Sequence, residues 1–191
     1  MAVCLSSGQI EILSVKSTNQ TKITRMETLD VQTGFDGCRG VKYFNQKLVV
    51  SGWTEDSLCW GIVSITDGHI ETFHTICKRG KYFGSFLCTN NNDMVFVSCF
   101  AGHENPNNGV YGYRNSRREF LYQHKDLNFP TGITMDRRHV YVCNYNPPCI
   151  HEMTESGQPL TIHKRGIQPS SQLIAIHWNQ QDGLLYVTSY D

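Results

Sequence analysis

Leu48-Val49-Val50-Ser51-Gly52-Trp53, Phe96-Val97-Ser98-Cys99-Phe100, Tyr141-Val142-Cys143-Asn144-Tyr145 and Tyr186-Val187-Thr188-Ser189-Tyr190 decide how this chain is read. Each is a β-branched or aromatic run, then two small or polar residues, then an aromatic. With Val50, Val97, Val142 and Val187 taken as equivalent, successive offsets are 47, 45 and 45 residues. A fixed period in the 40s, built of short strands, marks the blade of a β-propeller or a related array.

Each period divides into four strands, named a to d from the axis outwards. In the third blade they fall at 85–89, 94–99, 110–113 and 120–124. The turn Asn90-Asn91-Asn92-Asp93 follows strand a, and Asn115-Ser116-Arg117 separates c from d. Asn and Gly clusters between apolar runs signal hairpins because these residues tolerate positive φ. The fourth blade repeats this at 132–135, 139–144, 150–153 and 160–163, and the second at 41–44, 47–52, 60–65 and 70–73. Toward the first residue, 1–5, 9–13 and 22–26 read as b, c and d; toward the last, 173–178 and 184–190 read as a and b. The expectation is an all-β propeller of four-stranded antiparallel blades, about four to five present, forming an incomplete ring. A partial blade spans 1–29, blades lie near 38–77, 81–125 and 129–165, and a second partial blade spans 170–191. No segment sustains a 3.6-residue period, so almost no helix is expected.

Composition narrows the function. Lys plus Arg and Asp plus Glu both total 17 in 191 residues, so no overall field recruits nucleic acid or an anionic membrane, and no DNA partner is expected. No stretch approaches 18 consecutive apolar residues. The start, Met1-Ala2-Val3-Cys4-Leu5, has neither the basic region nor the apolar length of a signal peptide. Eight cysteines sit singly in apolar runs, as at Cys88, Cys99 and Cys143, which reads as buried thiols in a reduced, cytoplasmic protein.

Pro130-Thr131-Gly132-Ile133-Thr134-Met135-Asp136 followed by Val140-Tyr141-Val142-Cys143-Asn144-Tyr145 resembles the NHL repeat, roughly P-x-G-I-x-x-D then V-Y-V-x-D. In physical terms Pro130 and Gly132 set the turn into strand a, Ile133 packs between blades, Asp136 caps the hairpin, and V-Y-V alternates between two neighbours. The chain as a whole is similar to the C-terminal propellers of tripartite-motif (TRIM) proteins. Two departures stand out: Asn144 replaces the family's Asp, and Asn146-Pro147-Pro148-Cys149-Ile150 replaces its N-x-R-I continuation. No C-x-x-C pair occurs, so RING and B-box zinc modules are absent from these residues and ubiquitin-ligase activity would belong to a longer parent. The resemblance implies a non-enzymatic recognition module with no cofactor and a protein as its first partner.

Candidate sites follow from the loops. Trp53, Phe100, Tyr145 and Tyr190 each end a strand b. They serve either as a rim of anchors for a peptide or as wedges between blades. Thr54, Glu55, His103, Asn105, Asn144 and Asn146 lie beside them and would add polar contacts. Arg117, Arg118, Arg137 and Arg138 fall on the opposite face and are the candidate footprint for single-stranded or hairpin RNA. Lys78, Arg79, Lys81, Lys164 and Arg165 fall with the aromatics, diluted by Glu55, Asp56, Glu104 and Asp126. Cys143, Cys149 and His151 are close in sequence but lack a fourth metal ligand at finger spacing, and read as buried thiols beside a surface histidine. A calcium-dependent lactonase would need oxygen ligands converging at strand ends, where the sequence offers Asp136 and Asn144.

Overall fold

The computed structural model describes residues 2–4, 10–16, 22–29, 35–66, 69–80, 83–90 and 93–190, with side chains at Ile10 and from Phe35 onward. The expected strand limits at Met1, Leu5 and Gln9, the turn residues Asn91 and Asn92, and Lys81 lie outside the described residues. Everything described is strand, turn or loop, without helix.

Five antiparallel meanders follow one another. The first has β1 (Ala2–Cys4), β2 (Ile10–Lys16) and β3 (Lys22–Leu29). The second has β4 (Gly37–Phe44), β5 (Lys47–Trp53), β6 (Ser57–Ser64) and β7 (Ile70–Lys78). The third has β8 (Gly84–Thr89), β9 (Met94–Phe100), β10 (Gly109–Arg114) and β11 (Arg117–Tyr122). The fourth has β12 (Pro130–Met135), β13 (His139–Asn144), β14 (Cys149–Thr154) and β15 (Pro159–His163). The last has β16 (Gln172–Asn179) and β17 (Leu184–Tyr190). Among the described residues the three-stranded and two-stranded sheets share no ladder, so the ring is not closed.

Turn chemistry starts the hairpins. Asn45 and Gln46 have φ of 49° and 62°, and Asn115 and Ser116 have 46° and 66°. Two successive left-handed residues make the tight reversal whose twist suits a hairpin. Asp136 closes the β12–β13 turn: its Oδ1 accepts from the Arg138 N–H (2.6 Å) and the His139 N–H (2.7 Å). The Tyr141 hydroxyl donates to its Oδ2 at 3.0 Å.

The sheets stack about their first strands. β4 lies against β8, β8 against β12 and β12 against β16. Strand b of each blade also touches strand a of the following one: β1 with β4, β5 with β8, β9 with β12 and β13 with β16. Period-2 alternation therefore sends successive side chains of one strand into different cores. On β9, Val95, Val97 and Cys99 face the second sheet while Met94 and Phe96 face the fourth. On β13, Val140 and Val142 join the third sheet while Tyr141 and Cys143 join the last. Ile133 sits in the seam between the third and fourth sheets, as its motif implies. The core is thus four slabs between blades. Each fully buried Val, Phe or Leu in them contributes about 1.5–3 kcal/mol relative to exposure.

In the second and third sheets the serine after the central valine is a latch. Ser51 Oγ donates to the Ser85 carbonyl (3.2 Å), and Ser98 Oγ to the Thr131 carbonyl (2.6 Å), each reaching the first strand of the following sheet. Cys143 takes this position in the fourth sheet, and there Thr131 Oγ1 reaches the Leu173 carbonyl (2.9 Å). Gly132 does not set the turn into its strand; it lies within β12. A Cβ there would meet the backbone of Ala175 and Ile176 at 2.6 and 2.8 Å, so only glycine lets β16 approach this closely.

Candidate functional site

The arc of first strands has two ends, each opening into a cavity. The end where these strands begin carries a cavity of about 600 Å³ whose lining includes Arg39, Phe83, Phe86, His103, Phe129, Tyr145 and Asn146, together with Gly84, Pro130, Thr131 and Ile174. The end where they finish carries one of about 470 Å³ whose walls include Lys42, Asp136, Arg137, Glu155 and His177. The first is rich in aromatic rings and holds no carboxylate; the second mixes both signs of charge.

The aromatic mouth is built by pairs that bridge blades. Trp53, ending β5, meets Phe83, just before β8, at 5.3 Å between ring centroids. Phe100, ending β9, stacks on Phe129, just before β12, at 3.6 Å and 13°. Phe129 stacks in turn on Tyr145 (4.7 Å), and His103 meets Phe100 and Phe129 edge-on. The strand-end aromatics are therefore wedges, and the three differ in what they still offer to solvent. Phe100 is fully buried, while Trp53 and Tyr145 remain half-buried.

The polar candidates divide in the same way. Asn144 is fully buried and its amide is committed. Its Oδ1 accepts the Phe129 N–H (2.8 Å), and its Nδ2 donates to the Asp126 (2.8 Å) and Pro147 (2.7 Å) carbonyls. It pins the Phe129 loop and presents nothing outward. Asn105 holds its own loop through the Ala101 carbonyl (3.3 Å) and the Asn107 N–H (2.9 Å). Thr54 Oγ1 accepts the Ser57 N–H at 3.2 Å. His103, Glu55 and Asn146 are exposed, and His103 and Asn146 line the cavity. Tyr190 is exposed on β17 opposite Gln172, whose Oε1 accepts the Tyr145 hydroxyl, so Tyr190 stands on the same rim.

Reading strand b alone misses Arg39, Phe83, Phe86 and Phe129. Arg39 is exposed, makes no ion pair among the described residues, and lies over the rings of Trp53 and Phe86, 5.9 Å from each centroid. Arg79 covers Phe83 at 4.5 Å. The signal for these residues was present: Phe83 and Phe129 each stand one residue before a first strand, repeating at the blade period.

On the opposite face Arg117, Arg118, Arg137 and Arg138 are all exposed. Arg137 and Arg138 share a shallow surface with Glu119 and Glu155, and neighbouring Arg114 pairs with Asp93 (3.0 Å) and Glu119 (3.1 Å). The stripe is interrupted by carboxylates. Asp136 directly follows β12. Burial raises its carboxyl pKa, but its three hydrogen bonds outweigh that and hold it below the usual value.

His151 corrects an expectation. It is fully buried between the third and fourth sheets rather than on the surface, with Nδ1 at 2.9 Å from the Tyr122 hydroxyl. Burial, helped by the nearby His124, pushes its pKa down to about 4. Cys143 and Cys149 are buried thiols, with Cys143 pushed up to about 12 by burial.

No protein-family model matches the chain, and no curated protein matches it in sequence. Solved structures match its fold. A chain in the crystal structure of a nidogen/laminin complex superposes with a TM-score of 0.71 at 14% identity, over 98% of this chain and 69% of that one. The Cps50 (Swd1) β-propeller domain of Myceliophteria thermophila gives 0.60 at 11%, over 100% and 66%. A luciferin-regenerating enzyme gives 0.57 at 10%, over 96% and 62%. The chain thus spans about two thirds of each, and the shared feature is the β-propeller fold. A binding assembly and an enzyme both stand among these neighbours, so function has to be argued from the site.

Proposed function

We propose that this propeller is a recognition module that binds a segment of a partner protein in the aromatic mouth. The observation carrying this is the cavity of about 600 Å³ walled by Phe83, Phe86, Phe129 and Tyr145, with Arg39 at its edge and no carboxylate in its lining. Rings held by inter-blade stacking are rigid, so a ligand costs them little entropy. Arg39 supplies a guanidinium already laid on two rings and free for a fork-like contact. The occupant this fits carries an aromatic or large aliphatic side chain beside a carboxylate. The role parallels that of TRIM-type substrate-binding propellers, which the Pro130–Asp136 motif resembles. In this reading the chain is cytoplasmic, has no cofactor and turns over no substrate itself.

Selection of displayed random peptides against the purified chain tests this. Enriched peptides are expected to pair Asp, Glu or a terminal carboxylate with an apolar anchor, and to lose binding at least tenfold on the Tyr145→Ala variant. Enrichment that ignores Tyr145, or none at all, refutes the reading. Filter binding of single-stranded RNA at two salt concentrations reports the rival: a steep salt slope that flattens on Arg137→Ala would move the site to the opposite face. Lactone opening abolished by a calcium chelator would make the chain an enzyme.

A further inference from the structure

Cys77, near the end of β7, and Cys99, near the end of β9, come from different sheets and place their sulfurs 3.3 Å apart. Both are buried, Cys99 completely and Cys77 to 8% exposure. A second observation marks the same seam. A Cβ on Gly80 would meet the Ala101 carbonyl oxygen at 2.1 Å, so the backbone beyond Cys77 is pressed against the backbone beyond Cys99. A disulfide requires sulfurs at about 2.05 Å. Closing this gap takes about 1.3 Å, within reach of small side-chain rotations.

We propose that Cys77 and Cys99 are an oxidisable pair that hydrogen peroxide converts to a disulfide, stapling the second blade to the third. The Cys99 thiol hydrogen-bonds to Cys77 and lowers its pKa against the effect of burial, while the same contact and burial raise that of Cys99. Cys77 is therefore the nucleophile and the more accessible sulfur. Its thiolate attacks one peroxide oxygen, the O–O bond breaks, and hydroxide leaves with sulfenic acid on Cys77. The Cys99 sulfur then displaces the sulfenic oxygen, the S–S bond forms, and the departing oxygen leaves as water with the Cys99 proton. The two sulfurs together give up two electrons, and one peroxide becomes two waters. Cys99 adjoins Phe100, and Lys78 and Arg79 follow Cys77. Phe100 stacks on Phe129 and Arg79 lies over Phe83, so the bond ties together the segments that back two rings of the aromatic mouth.

Peptide mapping tests this with the whole chain. Trypsin leaves Cys59 and Cys77 together in 48–78, and Cys88 and Cys99 together in 82–114. A Cys59→Ser/Cys88→Ser double variant leaves one cysteine in each peptide and keeps both members of the pair. After peroxide, this variant and the wild type are expected to show the 48–78 to 82–114 cross-link. Free thiols in the denatured wild type should fall from eight to six, and Tm should rise by roughly 5 °C or more. Cys77→Ser should abolish the link. A double variant that stays folded and keeps both thiols after peroxide overturns the proposal, as does a wild-type link that persists in Cys77→Ser.

Discussion

The two ends of the inner-strand arc are made from the same repeat yet do different physical work. Where the first strands finish, hairpins of two to four residues turn the chain, and positive φ at Asn45, Gln46, Asp93 and Gly183 favours small or polar residues, so that mouth is polar by construction. Where they begin, longer connections are free of that demand, and aromatics fill them. The pairs Trp53–Phe83 and Phe100–Phe129 show that these rings first hold neighbouring blades together and only secondarily face outward. Stability and recognition are therefore entangled at the aromatic mouth and separable at the polar one.

The largest effect should expose that entanglement. Phe100→Ala removes a fully buried ring from the stack and should cost about 3–5 kcal/mol in urea unfolding. Asp136→Ala, at the polar mouth, should cost about 1–2 kcal/mol through its lost turn contacts. Equal losses at the two positions would dissolve the distinction.

Acid should separate the same regions. His151 lies in the seam between the third and fourth sheets, faced by Tyr122, His124, Asp126 and Lys164. Its folded pKa of about 4 is below the ordinary 6.5, so the unfolded chain binds the extra proton first. Stability should be full above pH 6.5 and fall by about 3 kcal/mol as pH drops toward 4. Asp136 acts later: its lowered pKa stabilises the fold above the ordinary value of 3.8 and is lost only below it. Denaturant midpoints across pH should show the upper step shrink in His151→Gln, the remainder coming from His74, whose pKa burial also lowers, and survive in Asp136→Asn.

Asn144→Ala tests whether the buried amide is structural. Losing it strands the Phe129 N–H and two carbonyls, for about 2 kcal/mol, and should loosen the Phe129 loop in amide exchange. An unchanged loop would mean that the stack alone positions it.

How much of this was legible follows from period and chemistry. The repeat of Val50, Val97, Val142 and Val187 located the second strand of each blade, and the turn residues located the hairpins. The motif-based roles of Ile133, Asp136 and the Val140-Tyr141-Val142 alternation match the contacts observed. The role of Gly132 was misread because close approach between strands from different blades leaves no mark on local sequence. Exposure of His151 was misread for a related reason: burial was decided by Tyr122, twenty-nine residues away. Trp53, Phe100 and Tyr145 share one sequence pattern, yet Phe100 is enclosed by the His103 loop and Phe129 while Trp53 and Tyr145 stay partly open. Loop packing, which the pattern does not encode, makes that difference.

The smallest effect on stability is the sharpest test of the comparison. Arg39 is exposed, unpaired among the described residues and held only against ring faces, so Arg39→Ala should shift stability by less than about 0.5 kcal/mol. Its guanidinium is nevertheless the positive charge lining a cavity without carboxylates, so the same change should weaken an acidic–aromatic peptide about tenfold or more by fluorescence titration. Arg137→Ala and Arg138→Ala, equally exposed at the polar face, should leave both quantities unchanged. Binding that tracks Arg137 and Arg138 instead of Arg39 would exchange the roles of the two mouths. Binding that responds to none of the three would reduce the aromatic mouth to a seam between blades.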